Sequence, residues 1–120
     1  MQALTPASKE IALGSTLDLA RVYPEPWQRL YIFPPYSGIA TMETAMKINA
    51  NRALKAAHLE ERDDIALFVF VERREIQLVA AVRRGIMEIE LNGDFLVRDR
   101  AHAQFKKTQK PGSVAWVAQP

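Results

Sequence analysis

A chain of 120 residues with 48% hydrophobic and 25% charged side chains falls within the range of an ordinary globular domain, so 1–120 is read as a single unit with one core. Zero cysteines exclude disulfides, thiolate metal sites and cysteine nucleophiles. The net charge of +2 is too small for a surface that tracks phosphates, and no apolar run approaches the length of a membrane span, the longest being Ile65 to Val71. Nucleic-acid partners and a transmembrane segment are therefore not expected.

The opening residues, MQALTPASKEIALG, have neither a basic stretch nor an apolar core, so no signal peptide is read there. The expectation is a cytoplasmic chain, or an exported one from which a leader has been removed. Glu10 to Leu13 reads as a short extended piece, and in Thr16 to Val22 the residues Leu17, Ala20 and Arg21 fit one helical turn. The YPEPW segment stops any helix, because two prolines remove backbone donors.

Arg29 to Phe33 is a strand, with Leu30 and Ile32 facing one way and Tyr31 and Phe33 the other. Pro34-Pro35 ends it. From Gly38 the period changes, and Ile39, Met42, Met46 and then Ala50 or Ala53 share a helical face, which either runs on through NRALKAAHLEER or breaks at Asn49 and Asn51. Ser37 stands where an N-cap belongs, its hydroxyl accepting a backbone N–H.

Ile65 to Val71 is unbroken apolar sequence, the mark of a strand covered on both faces. Glu72 to Glu75 turns the chain, and Ile76 to Val82 returns with Gln77 as its one polar residue. Residues 86–91 fit either an alternating strand or a helical turn, and Asn92-Gly93-Asp94 is a turn. Ala101, Ala103 and Phe105 alternate with His102, Gln104 and Lys106 as a half-exposed strand, and Val114 to Ala118 returns with Trp116. Short connections between successive strands predict an α+β fold, an antiparallel sheet of about five strands with one main helix on one face. That helix covers one face only, so the other calls for loops, a protein partner or a second copy of the chain.

Chemistry-bearing residues are few. The basic pairs, Arg73-Arg74, Arg83-Arg84 and Lys106-Lys107 among them, are interleaved with acids and read as solvated strand ends. His58 lies among Glu60, Glu61, Asp63 and Asp64, but three or four converging ligands are needed for a metal, and no metal site or cofactor is predicted. No serine stands in a nucleophile elbow and no glycine pattern matches a nucleotide loop. No catalytic residue is assigned. The ligand-binding candidates are Tyr36 and Ser37 at the strand-to-helix corner, Arg84 as an anion clamp and His102 as a base.

The chain resembles a family of small uncharacterised bacterial domains, many carried by exported or lipid-anchored proteins. The resemblance spans about residues 11–108. It rests on Trp27-x-x-Leu30-x-Ile32 leading to Pro35-Tyr36, on the strand ending Phe70-Val71, on Arg84, and on Ala103-x-Phe105. Members usually carry Gly before the Pro-Tyr pair and an Asp-Phe pair soon after the Arg, where this chain has Pro34 and GIMEIEL. The resemblance implies an α+β fold and an envelope location. The functional expectation is a non-catalytic binding or accessory domain, with a small-ligand binder or enzyme centred on Tyr36, Ser37, Arg84 and His102 as the alternative.

Overall fold

The structure is a computed structural model that describes residues 2–3, 16–49, 54–55, 59, 62–84, 87–91, 93–110 and 113–119. The expected piece at Glu10 to Leu13 and the segment around His58 lie outside the described residues. The elements in chain order are β1 (Gln2–Ala3), β2 (Thr16–Asp18), α1 (Leu19–Val22), β3 (Arg29–Phe33), α2 (Ile39–Met46), β4 (Ile65–Glu72), β5 (Glu75–Arg83), β6 (Leu96–Asp99), a 3₁₀ turn at Arg100–His102, β7 (Gln104–Lys110) and β8 (Ser113–Ala118).

The class is α+β with mostly antiparallel strands, but the strands make two sheets rather than one. The larger has the order β1-β5-β4-β3-β6, four antiparallel strands with the two-residue β1 added in parallel at one edge. The smaller has the order β2-β7-β8. The reason lies in β4, where all seven residues from Ile65 to Val71 are buried. A strand apolar on both faces needs a layer on each side.

On one side Ala66, Phe68 and Phe70, with Leu30 and Ile32 of β3, meet Phe105 and Trp116 of the smaller sheet. On the other side Ile65, Leu67, Val69 and Val71, with Tyr31 and Phe33, meet Met42 and Met46 of α2 and the side chains of Leu54 and Leu59. The alternation read in β3 holds residue by residue. The face of β4 that α2 leaves, for which loops, a protein partner or a second copy was expected, is covered by the smaller sheet of the same chain.

A bulge shapes the central hairpin. Phe70 pairs with Leu78 but Val71 pairs with Ile76, which leaves Gln77 as the extra residue. The shift explains how Leu78, Ala80 and Val82 reach one core while Ile76 and Val79 reach the other. The turn at Arg73-Arg74 has both residues at positive φ, 49° and 66°, the geometry of a tight I′ hairpin.

Several local readings change. Thr16 to Val22 splits, because Asp18 caps a new helix by accepting the Ala20 N–H at 3.0 Å. α2 ends at Lys47, which turns left-handed with φ 58° and donates its N–H to Glu43. β6 was not read from the sequence, and it pairs with β3 from Ile32–Leu96 to Arg29–Asp99. Residues 87–91 combine both alternatives. Met87 donates to the Arg83 carbonyl as in a helical turn, and then Glu88 and Glu90 bond the backbone of Trp116 in an extended pairing. His102 belongs to the 3₁₀ turn rather than to a strand, since β7 begins at Gln104.

Arg100 is a structural cation. It donates to the carbonyls of Glu25 and Pro24 at 2.8 and 3.1 Å and lies 5.2 Å from the ring centre of buried Trp27, locking the proline loop onto the sheet. Among the described residues no helix is long and apolar enough to cross a membrane.

Candidate functional site

The strand-to-helix corner is built by the proline pair. With β3 stopped at Phe33, the chain reverses through Pro34, Pro35 and Tyr36, and the Tyr36 N–H donates to the Leu59 carbonyl at 2.9 Å. Tyr36 has φ 66° and is 61% exposed, the more exposed of the two large hydrophobics at the described surface. An aromatic residue in the left-handed region gives up about 1 kcal/mol or more relative to an ordinary backbone. Local folding does not call for it, since glycine or asparagine fits such a turn better.

Ser37 is not the helix cap. Its hydroxyl donates to the Pro34 carbonyl at 2.7 Å, and Gly38 takes the N-cap position without a side-chain bond. The hydroxyl closes the turn that the prolines begin, a bond three residues back in sequence that competes with capping.

Beside Tyr36 opens a cleft of about 360 Å³ at the end of the sheet where β5 finishes. Its floor is Ala66, Met87, Ile89 and Leu91, and its rim carries Tyr36, Arg84 and Glu88. Arg84 is already engaged. Its guanidinium makes a two-pronged contact with Glu88, 2.9 Å on each prong, and donates to the Asp63 carbonyl at 3.0 Å. The hydrogen bonds to Glu88 hold the guanidinium's pKa above its ordinary value. The cleft therefore presents a neutralised ion pair beside an aromatic ring, over an apolar floor, rather than a free anion clamp.

His102 does not join this group. Its Nδ1 lies 2.6 Å from Asp99, and the hydrogen bond from His102 holds the Asp99 carboxyl below its usual range. Asp99 pairs with Arg29, Arg29 with Val71, and the strand then runs to Ile65 opposite Arg83. Six strand steps of about 3.3 Å put His102 roughly 20 Å from the Arg84 end. Of the four residues predicted from sequence, Tyr36 and Arg84 share the cleft, Ser37 supports its corner, and His102 stands at the opposite end of the sheet.

Glu88, Met87, Ile89 and Leu91 were not among the ligand-binding candidates of the sequence, where their stretch stood only as a strand or a helical turn. The four-residue spacing of Arg84 and Glu88 was the available signal for the ion pair. No cluster of three or more potential metal-ligating side chains occurs among the described residues. Comparisons with family models, curated proteins and solved structures give no match to this chain.

Proposed function

We propose that this chain is a non-catalytic binding domain that holds a small apolar or aromatic group, free or borne on a peptide, in the cleft beside Tyr36. The observation that carries the reading is Tyr36 itself, an exposed ring kept on a strained backbone at the mouth of an apolar cleft. A flat ring stacks on an aromatic ligand, and the Arg84–Glu88 pair fixes the wall against which the ligand lies. The enzymatic alternative took His102 as the base beside Arg84, and His102 is a sheet's length away; the carboxylate that does stand there, Glu88, is engaged on both oxygens by the Arg84 guanidinium. The envelope setting implied by the family resemblance belongs to this proposal, and cell fractionation is its direct test.

The binding test is amide and methyl NMR with two soluble probes, indole and phenol. The reading expects saturable shifts at Tyr36, Met87 and Ile89, lost in Tyr36→Ala while the rest of the spectrum keeps its folded dispersion. Shifts that survive Tyr36→Ala unchanged would remove the cleft as the site. Unfolding of both Tyr36→Ala and Tyr36→Phe would make the ring a packing residue instead.

A further inference from the structure

A second concavity, about 570 Å³, lies at the opposite end of the larger sheet, on its helix-covered side. Four cationic side chains line it: Arg29 at the start of β3, Lys47 at the end of α2, and Arg73 and Arg74 in the β4–β5 turn. Asp99 is the one carboxylate in the lining, and it is bonded to His102. Among the described residues Arg29, Lys47 and Arg74 have no ion pair, and Arg73 approaches only Glu72, at 4.0 Å. Four like charges around one concave wall concentrate a positive potential there.

The backbone gives a second, independent observation. Four non-glycine residues among the described positions have positive φ, and three of them are Lys47, Arg73 and Arg74. A two-residue hairpin turn of this geometry is best served by Asn-Gly. Two arginines there place charge at the groove at the expense of turn stability. The turn is also held in position, because the Arg73 N–H donates to the Gln28 side-chain oxygen at 3.0 Å. The buried Tyr31, 4% exposed, forms part of the floor.

We infer that this groove binds a phosphomonoester, the phosphate meeting the guanidinium forks of Arg29, Arg73 and Arg74 with Lys47 as a point charge. A phosphomonoester carries nearly two negative charges and three acceptor oxygens, which suits several cations better than a single carboxylate does. The volume admits a small organic body beyond the phosphate. The site is separate from the Tyr36 cleft and does not rest on the function proposed for it.

The test is a low-salt NMR titration with inorganic phosphate and, separately, phenyl phosphate, on the whole chain. Saturable shifts at Arg29, Lys47 and Arg73-Arg74, tighter for phenyl phosphate, are the expected result. R73N/R74G should weaken binding by roughly tenfold or more while remaining fully folded, and Lys106→Gln, which removes a charge elsewhere, should leave it unchanged. Arg29→Gln should weaken it as well, from a strand rather than the turn. Equal affinity in R73N/R74G, equal loss in Lys106→Gln, or shifts that never saturate would each overturn the assignment. Tighter binding of inorganic phosphate than phenyl phosphate would overturn the organic ligand.

Discussion

R73N/R74G also makes a stability prediction whose size follows from the backbone. Arg73 and Arg74 have φ of 49° and 66°, and each L-residue held there costs about 1 kcal/mol or more. Glycine at 74 removes that cost and returns up to about 0.5–1 kcal/mol of it through a freer unfolded chain. Asparagine at 73 tolerates the left-handed region and keeps the N–H that bonds Gln28. Little is lost in exchange, because the Arg73 side chain is 88% exposed and its contact with Glu72 spans 4.0 Å. The net gain is about 1 kcal/mol. With an unfolding entropy of about 2.1 cal/mol/K per residue, a domain of this length should melt about 4 °C higher. The assay is reversible thermal unfolding by circular dichroism, at low salt and at high salt. Relieved charge repulsion is screened by salt and the backbone term is not, so most of the gain must survive. A lower melting temperature, or a gain that vanishes at high salt, refutes the backbone argument.

Phe68→Ala, at a fully buried position between the two sheets, should cost about 3–5 kcal/mol in urea unfolding, because a ring-sized cavity opens where neither sheet can close on it. A cost below about 1 kcal/mol would mean that the sheets are not packed through this residue. Asp99 should titrate below the ordinary carboxylate range and return to it in His102→Ala, followed by carboxyl NMR. Because its folded pKa is depressed, its contribution is present above the unfolded value and is lost as pH falls through the folded one. Both side chains are 58% exposed, so the effect on stability is small, and an Asp99 midpoint that ignores His102→Ala would dissolve the pair.

How much of this was legible beforehand depended on the range of the interaction. The alternation of Leu30 to Phe33 and the unbroken Ile65 to Val71 run are local patterns, and both were readable. What covers the second face of β4 was not, because the strands carrying Phe105 and Trp116, though readable as neighbours, form a separate sheet only by pairing with β2 from the far end of the chain. β6 is four residues, Leu96 and Arg98 half-buried and Val97 and Asp99 exposed, too short a stretch of mixed type to mark a strand alone and made one by β3 beside it. At the site, Tyr36 and Arg84 could be singled out by residue type. The separation of His102 from them could not, since it is fixed by strand register. Ser37 misled because a hydroxyl before a helix has two backbone partners within reach, and here the proline turn takes it.

The complete burial of β4 also bears on what happens when the chain is not folded. IALFVFV is β-prone, uncharged and free of proline and glycine, the composition of a segment that stacks into fibrils once exposed. In the native state both its faces and both its edges are occupied. During synthesis or refolding its protection falls to the charges on either side, Asp63-Asp64 before it and Glu72 to Glu75 after it. The two arginines of the turn thus guard solubility along the folding route, and a substitution that raises equilibrium stability there strips two of those guards.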